Sequence, residues 1–237
     1  SKKKVLVIGW DAAEWKVILP LVQQGKMPAF AKLMSRGVHG KLQTLDPPLS
    51  PMLWTSIATG FRADKHGIGG FIEPTPDGEN LRPVTSTSRK VKAIWNILNQ
   101  EGYKSNVVAW WPSNPAEPIN GVMISNLYQI ATKPLEEEWE MPNGTVHPKE
   151  LEETMKDFRI HPHQITLNQA LPFIPNLKEN IALRSDKRTT SVIKNMANAG
   201  TIHSASCHLL EKSEWDFMAV YHDAIDHFSH VAMRYFP

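Results

Sequence analysis

Uninterrupted apolar runs divide the chain into predicted strands of the kind that are buried on both faces. Such runs, rich in β-branched residues, are typical of the inner strands of a parallel sheet. They occupy residues 4–9, 105–110, 121–125 and 216–221, and a further strand is predicted over residues 38–44. Segments with helical periodicity separate these runs, and such alternation indicates right-handed crossovers. The sequence therefore predicts an α/β fold with a mainly parallel sheet sandwiched by helices.

The predicted helices have recognisable ends. Residues 14–36 predict two helices that are broken shortly before Pro28 and end at Gly37. Proline starts a helix more readily than it continues one, and glycine commonly follows the last helical residue. Residues 89–100 and 186–212 predict two further helices.

Residues 128–185 interrupt the alternation of strands and helices. They are rich in proline and charge, and we expect them to form a cap-like insertion over the edge of the sheet. A chain of 237 residues can bury its core as one large domain or two small ones. We expect residues 1–237 to be the N-terminal portion of a single α/β domain, with the insertion inside it. The turn-forming stretch 72–90 predicts no core element.

Composition agrees with a globular protein and argues against several classes. A formal net charge of +2, with both signs spread along the chain, gives no basic stripe, so we expect no binding to nucleic acid. No apolar run approaches the ~20 residues of a membrane span. Cys207 is the single cysteine, which excludes an internal disulfide and a cysteine zinc site. We expect a small-molecule substrate and a cytoplasmic location, and the sequence gives no oligomeric state.

The stretch 50–60 carries the clearest functional signal. A hydroxyl residue, a proline and an apolar run closed by glycine predict a short helix, with Ser50 as N-cap, Pro51 as first helical residue and Gly60 as its end. Unpaired N–H groups and the helix dipole favour negative charge at a helix N-terminus. Two interpretations follow: Ser50 only caps the helix, or its hydroxyl is a nucleophile beside a bound phosphate.

Residue types that bind metals gather where two predicted strands end. Asp11 follows the first strand, and the last strand runs into a segment with two aspartates and three histidines, His222, Asp223, Asp226, His227 and His230. Asp226 and His230 are four residues apart and share a face of a helix. Asp223 and His227 have the same spacing, so spacing alone does not choose between the pairs. The competing structural interpretation is a helix cap at Asp11 and a polar loop at the later cluster.

The carboxyl ends of parallel strands lie at one edge of a sheet, so Asp11, Ser50 and residues 223–230 are expected to converge. Oxygen and imidazole ligands without a thiolate suit zinc first and manganese second. Two divalent ions ~4 Å apart can activate a hydroxyl and neutralise the charge of a phosphate. A serine–histidine–acid triad is the alternative, since serine needs activation by a base or a metal.

These residues also resemble a known family. The stretches that carry the resemblance are, in chain order, 5–11, 47–51 with Trp54 and Thr59-Gly60, 66–68, Ile94-Trp95 with Leu98, 117–125, and Asp226 with His230. Their ordered combination is similar to the alkaline phosphatase superfamily, and within it to the type I phosphodiesterase/nucleotide pyrophosphatase branch. The resemblance is weakest over residues 126–215.

The resemblance implies an alkaline phosphatase-like fold and a metal-dependent hydrolase of phosphate mono- or diesters. In such an enzyme Ser50 attacks phosphorus, and a phosphoserine intermediate forms and is then hydrolysed. The implied metal ligands are Asp11 and Ser50 for one ion and Asp226 and His230 for the other, with zinc the first expectation and manganese the second.

The sequence departs from the family at two places. The family completes its metal pair with an Asp-His-Gly motif and one further histidine, both downstream of the residues that match Asp226 and His230. This sequence contains neither of them there, so we expect the C-terminal part of the domain to be lacking. Phe71 stands where nucleotide-cleaving members carry an asparagine that touches the phosphate, which argues against nucleotides. Phe71 and Lys65 are the predicted substrate-binding residues. The alternatives are a member that binds a ligand or partner without turnover, or one that acts on phosphonate or sulfate esters.

Overall fold

The computed structural model describes residues 3–133, 137 and 139–235. Seven strands lie in this part of the chain: β1 Val5–Trp10, β2 Ile72–Pro74, β3 Leu81–Pro83, β4 Ser105–Val108, β5 Gly121–Ile124, β6 Val146–His147 and β7 Phe217–His222. The α-helices are α1 Trp15–Gln23, α2 Pro28–Arg36, α3 Ser50–Thr59, α4 Ala63–His66, α5 Ile94–Gln100, α6 Glu152–Lys156, α7 Leu167–Ala170, α8 Lys187–Lys212 and α9 Ala224–Ala232. Short 3-10 turns join several of them.

The central sheet has the order β1-β7-β4-β5-β6. The first four strands run parallel, and β6 pairs antiparallel with β5. In the register of β1 and β7, Val5 lies opposite Phe217 and Trp10 opposite His222. The predicted α/β fold with a mainly parallel sheet is therefore confirmed, with strand boundaries shifted by one or two residues.

Helices cover both faces of this sheet, because successive strand residues point to opposite sides. On one face Val108, Ile124 and Val220 pack in a buried cluster with Ile202 and other residues of α8. On the other face the neighbouring strand positions pack against α3 and α5, in a cluster that contains Val107, Met123, Ala219, Ala58 and Trp95. The two clusters account for the predicted layer of helices on each side.

Helix α3 lies close to β1 because a glycine leaves room for its tryptophan. A Cβ atom on Gly9 would lie 2.4 Å from Cζ3 and 2.7 Å from Cη2 of Trp54. The Trp54 ring also packs edge-on against Tyr221 of β7, with ring centroids 4.8 Å apart. Its backbone carbonyl accepts a hydrogen bond from Trp110 Nε1 at 3.0 Å. These contacts fix the start of α3 beside the ends of β1 and β7.

The predicted cap of α3 is wrong by one residue. Leu49 is the N-cap, with an extended backbone, and Ser50 is the first helical residue, so Pro51 is the second. The Ser50 hydroxyl does not bond a free N–H of the first turn. It donates instead to the carboxylate of Asp11. The predicted end is confirmed, since Gly60 adopts a left-handed conformation with φ 73° that suits glycine.

Three other predictions need correction. Residues 38–44 form no strand: Val38 and Leu42 are exposed, and within the described chain no strand pairs with them. The helix expected over residues 89–100 begins only at Ile94. The stretch 72–90 forms the exposed β2–β3 hairpin, and it is not free of core structure because Val84 is buried. In each case tertiary packing, which local pattern does not encode, decided the outcome.

The described part of segment 128–185 contains short helices and turns together with strand β6. This segment also contributes to the hydrophobic core, because Tyr128, Val146 and Met155 belong to the buried cluster on the α8 face of the sheet. Its description as a cap-like insertion within one domain stays a prediction. Among the described residues, no helix combines the length and apolar character that crossing a membrane requires.

Candidate active site at the carboxyl edge of the sheet

Two aspartates follow the ends of the neighbouring strands β1 and β7. Asp11 comes directly after β1, and its backbone N–H donates to the carbonyl of His222 at 3.0 Å, which extends the strand pairing by one residue. Asp223 follows β7 and is the N-cap of α9, where only 9% of its surface is exposed. Asp226 lies in the first turn of the same helix. Parallel pairing thus brings together acids that are far apart in sequence, as predicted.

Asp11 accepts hydrogen bonds from three different parts of the chain. Its Oδ1 accepts from the backbone N–H of Ala12 at 3.0 Å. Its Oδ2 accepts from Ser50 Oγ at 2.9 Å and from the Tyr221 hydroxyl at 2.7 Å. The Ser50 hydroxyl is therefore oriented by a carboxylate at the N-terminus of a ten-residue helix. Such a position favours a negatively charged ligand.

The electrostatics of this edge are dominated by negative charge. Burial raises the pKa of Tyr221 well above its ordinary value, and the neighbouring Asp11 raises it further. Tyr221 is therefore a neutral phenol that donates to Asp11. Burial also raises the pKa of Asp223; His227 opposes this shift, and Asp11 and Asp226 add to it. The three carboxylates thus lie near enough to repel one another, an arrangement that a bound cation would relieve.

Both acid–histidine pairs of the last segment form. Asp226 Oδ2 lies 3.3 Å from His230 Nε2, and Asp223 Oδ2 lies 3.6 Å from His227 Nδ1. Helix α9 accounts for both, since residues four apart lie on one face. The pairs differ in position: Asp226, Asp223 and His227 line a cavity that also contains Asp11, whereas the side chain of His230 is 76% exposed.

This cavity has a volume of about 420 Å³. Its acidic end is formed by Asp11 with the acids and histidine of α9, and Tyr221 lies beside them. Its other walls carry apolar side chains and neutral amides, among them Trp111, Leu127, Ile130, Asn114, Asn126, Gln129 and Asn198. Gln129 and Ile130 belong to the segment 128–185, which is predicted to cover the sheet edge, and Asn198 belongs to α8.

The two predicted substrate-binding residues occupy different places. Phe71 is about half exposed, and its ring packs against Trp111, a cavity residue, with centroids 5.2 Å apart. Lys65 lies in α4 with a side chain that is 68% exposed, and it does not line the cavity. The structure therefore places Phe71 beside the cavity, whereas the position of Lys65 gives its predicted role no support.

The side chains that would bind metals are near one another without being assembled. Within the described residues, no three acidic, histidine or cysteine side chains are already grouped so that they would hold a metal ion. The donor chemistry nevertheless fits a divalent cation, because carboxylate and imidazole groups line one cavity and no lysine or arginine of the described chain lines it.

A family model of type I phosphodiesterase / nucleotide pyrophosphatase matches residues 5–232. The chain belongs to this family. The match spans every residue of the site, from Asp11 to His230, and confirms the resemblance to the alkaline phosphatase superfamily. Members of the type I phosphodiesterase family generally use divalent metals, which agrees with the donor chemistry of the cavity.

Solved structures share the fold of this phosphodiesterase-family chain. A phosphonoacetate hydrolase from Sinorhizobium meliloti 1021, in complex with phosphonoacetate, matches with a TM-score of 0.56 and 15% identity over 95% of this chain and 48% of its own. The same hydrolase in complex with phosphonoformate matches with a TM-score of 0.53 and 13% identity over 97% of this chain and 52% of its own. The chain thus spans about half the length of these structures. No curated protein sequence matches it significantly.

Two features of the site were missed at the level of sequence. The apolar pattern of the last strand includes Tyr221 without marking it, although its phenol stands at the carboxyl end of the strand, where ligands bind in such sheets. Gln129 and Asn198 come from a turn and a long helix, and no local pattern connects them to the acids of the family's metal site. Their role depends on packing between distant segments.

Proposed function

We propose that this chain forms the active site of a metal-dependent hydrolase of phosphate mono- or diesters, with Ser50 as nucleophile. The observation that carries the proposal is the 2.9 Å hydrogen bond from Ser50 Oγ to Asp11 Oδ2, at a sheet edge where Asp223 and Asp226 also converge. A serine that merely capped its helix would bond the N–H groups of the first turn.

Asp11 orients the hydroxyl of Ser50, and the N-terminus of α3 favours an anion beside it. Asp11 Oδ2 accepts from Ser50 and from Tyr221, so the phenol fixes the carboxylate and the carboxylate fixes the hydroxyl. The N-terminal end of α3 presents positive partial charge to a phosphoryl group at Ser50. This arrangement holds the attacking oxygen and favours the anion that it attacks, which is the positioning that phosphoryl transfer requires.

The residues that would hold two divalent ions are Asp11 with Ser50 for one and Asp226 with His230 for the other. Asp223, the N-cap of α9, and His227 in that helix also line the cavity and are further candidate metal ligands. The donor set suits zinc first and manganese second. When bound, such ions supply activation of the serine hydroxyl and neutralisation of charge on the phosphoryl oxygens.

The reaction proceeds in two displacements. The Ser50 Oγ–phosphorus bond forms while the bond from phosphorus to the leaving oxygen breaks; Ser50 releases its proton to solvent, and the leaving alcoholate takes one up. Water then cleaves the phosphoserine and restores the hydroxyl. Nucleophilic catalysis of this kind divides one difficult step into two easier ones.

A small molecule is the proposed substrate. Phosphonates are a second substrate class, because solved structures with the same fold are described as phosphonoacetate hydrolase. The aromatic Phe71, packed on Trp111, stands where nucleotide-cleaving relatives carry an asparagine, which disfavours nucleotides. Nucleic acid is not a proposed partner.

The second candidate function is binding of a phosphorylated ligand or partner without turnover. It is favoured by one observation: the described side chains include no preassembled group of three metal-binding residues.

One experiment separates the two candidates. The protein is supplied with Zn²⁺ or Mn²⁺ and offered 4-nitrophenyl phosphate and bis(4-nitrophenyl) phosphate. Hydrolysis that EDTA abolishes and that Ser50→Ala reduces at least about 100-fold supports the hydrolase. Ser35→Ala, on the exposed surface of α2, is the matched control and should retain full activity. Turnover that survives in Ser50→Ala overturns the proposed nucleophile, and binding without any turnover favours the second candidate.

A further inference from the structure

Two amide side chains follow the strands that lie next to the acidic part of the sheet edge. The strands run parallel in the order β1-β7-β4-β5, so their carboxyl ends meet at one edge. Asp11 and Asp223 follow β1 and β7, whereas Asn114 and Asn126 follow β4 and β5, and all four residues line the cavity. Neighbouring strands are about 4.8 Å apart, so β5 lies about 10 Å from β7. Asn126 therefore belongs to a part of the edge that is separate from the acids.

Reciprocal hydrogen bonds join the loops after β4 and β5. Asn126 Oδ1 accepts from the backbone N–H groups of Ser113 and Asn114, at 2.9 and 3.0 Å. The backbone N–H of Asn126 donates to Ser113 Oγ at 3.0 Å, and Ser125 Oγ donates to Asn114 Oδ1 at 3.0 Å. An amide turned over at Asn126 would place its NH2 group against two N–H donors. The loops thus fix the orientation of this amide.

The amide nitrogen of Asn126 is an accessible donor. Its Nδ2 donates no hydrogen bond within the described chain, where the buried side-chain atoms without a partner are Gln129 Oε1 and Arg159 Nη2. Asn126 Nδ2 is therefore unpaired but open to solvent, on a residue that lines the cavity. Binding sites fix their ligands with a few polar groups that the fold holds in one orientation. Asn126 has this character.

The charges around the cavity determine which acceptor suits Asn126. Asp11, Asp223 and Asp226 line the same cavity, and no lysine or arginine of the described chain lines it. A carboxylate bound at Asn126 would lose its hydration, gain a neutral donor only, and be repelled by the acids. A carbonyl group costs much less to desolvate and accepts the same hydrogen bond. A neutral oxygen acceptor is therefore favoured.

We propose that Asn126 Nδ2 donates a hydrogen bond to a neutral oxygen acceptor, such as a carbonyl, on the leaving group of the substrate. The inference rests on the proposed function, in which the phosphoryl group lies at the acids beside Ser50. The acceptor is then carried several bonds away from phosphorus, across about two strand spacings. Asn126 becomes a specificity residue that favours esters of carbonyl-bearing alcohols over esters that lack the oxygen or carry a carboxylate.

A purely structural role is the main rival explanation. Through Oδ1, Asn126 already joins two loops, and this rival leaves its NH2 group to water. Asn126→Asp separates the two explanations, because a carboxylate keeps an oxygen for both N–H donors and loses only the amide donor. The same two donors favour its ionised form. The rival predicts a folded variant with unchanged substrate preference, and the proposal predicts a folded variant with altered preference.

Two aryl phosphates of nearly equal shape test the proposal. 4-Acetylphenyl phosphate carries the carbonyl acceptor, and 4-isopropenylphenyl phosphate replaces that oxygen by a methylene group. The ratio of kcat/KM between them is compared among wild type, Asn126→Asp and Asn180→Asp. Intrinsic reactivities, and any effect of the added charge on the phosphoryl group, cancel in this comparison. Asn180 is the matched control, because its Oδ1 also accepts a backbone N–H, from Ala182 at 3.1 Å, and it does not line the cavity.

Binding is measured separately from turnover. Ligand-observed NMR compares 4-hydroxyacetophenone, 4-isopropenylphenol and 4-hydroxybenzoate. In wild-type protein, the side-chain NH2 signals of Asn126 should shift with 4-hydroxyacetophenone and not with 4-isopropenylphenol. This second measurement does not depend on the folding of a variant.

We expect the ratio of the acetyl to the isopropenyl ester to fall about tenfold in Asn126→Asp, the effect of one lost hydrogen bond, and to keep its wild-type value in Asn180→Asp. 4-Hydroxyacetophenone should be the best of the three ligands. An unchanged ratio in folded Asn126→Asp, absence of the NH2 shift, or preference for 4-hydroxybenzoate would overturn the proposal. If no ester is cleaved but 4-hydroxyacetophenone binds best and Asn126→Asp abolishes this binding, the proposed function fails while the assignment of Asn126 is supported.

Discussion

Ser50 Oγ donates a 2.9 Å hydrogen bond to Asp11 Oδ2, which joins two residues 39 positions apart. The bond exists because β1 and β7 pair in parallel and because α3 packs closely on β1 through Trp54. It places a hydroxyl, a carboxylate and a helix N-terminus at one point. The predictions below concern the residues that create and maintain this point.

Asp11→Asn should abolish the stabilisation of the protein by Zn²⁺ without destabilising the metal-free protein. Asp11 and Asp226 both raise the pKa of Asp223, so removing one charge relieves repulsion, and the protein without added metal should unfold no more easily than wild type. A ligand at 100 times its Kd stabilises wild type by about 2.7 kcal/mol, and Asp11→Asn should lose that gain with Zn²⁺. Thermal unfolding with and without Zn²⁺ measures both effects. The exposed Asp64→Asn is the control, and an undiminished Zn²⁺ shift in Asp11→Asn would contradict the assignment.

Tyr221→Phe should reduce turnover as well as stability. The variant removes the phenol that donates to Asp11 at 2.7 Å and keeps the ring that packs on Trp54. We expect about 1–2 kcal/mol of lost stability and a fall in kcat of about tenfold, because one partner of the carboxylate is lost. Tyr128→Phe removes a comparable buried bond, to the carbonyl of Met155, and should leave kcat unchanged. Equal effects of the two variants on kcat would show that Tyr221 acts only in folding.

Gly9→Ala should disturb the site from a distance. The added methyl group would lie 2.4 Å from the Trp54 ring, so α3 or its tryptophan must move. Overpacking of this kind costs about 1–3 kcal/mol, which is expected to lower the melting temperature by several degrees and to reduce activity. Gly40→Ala, where no atom lies within 4 Å of the new Cβ, is the matched control. Recovery of activity in the double variant Gly9→Ala/Trp54→Leu would confirm the steric cause, and unchanged stability in Gly9→Ala would refute it.

Acid should destabilise the fold through His66. This buried imidazole accepts from the N–H of Ile68 at Nδ1, and its Nε2 bonds Ser56 Oγ. Burial lowers its pKa below the ordinary 6.5, so the unfolded chain binds a proton more readily than the folded one. Stability is therefore complete above about pH 6.5 and falls as pH decreases, with a slope of at most about 1.4 kcal/mol per pH unit from this residue. Urea unfolding between pH 5 and 8 measures the slope, which should be smaller in His66→Asn. An identical slope in the variant would assign the effect to other groups.

The sequence allowed much of the fold and half of the site to be predicted. Continuous apolar runs identify β1, β4, β5 and β7 because strands buried on both faces need such runs. The rule that ligands lie at carboxyl ends of parallel strands then brings Asp11 and residues 223–230 together, whereas Ser50 reaches Asp11 because α3 packs closely on β1. The same apolar signal failed at residues 38–44, because a strand also needs a neighbour, and pairing is not encoded locally.

The remainder of the site depends on packing. The sequence could not choose between Asp226–His230 and Asp223–His227, and in the structure both pairs form. Tyr221 carries no local signal strong enough to separate a functional polar group from an ordinary strand residue. Its place in the site follows from the hydrogen bond that its hydroxyl donates to Asp11.

The central claim, that Ser50 is the nucleophile of a metal-dependent hydrolase, is tested most directly by locating the phosphoryl group during turnover. The protein with Zn²⁺ is mixed with an aryl phosphate, quenched in acid and digested, and the peptides are sequenced by mass spectrometry. The account predicts phosphate on Ser50, abolished by EDTA and absent from Asp11→Asn. Phosphate on another residue, or steady turnover in Ser50→Ala, would contradict it.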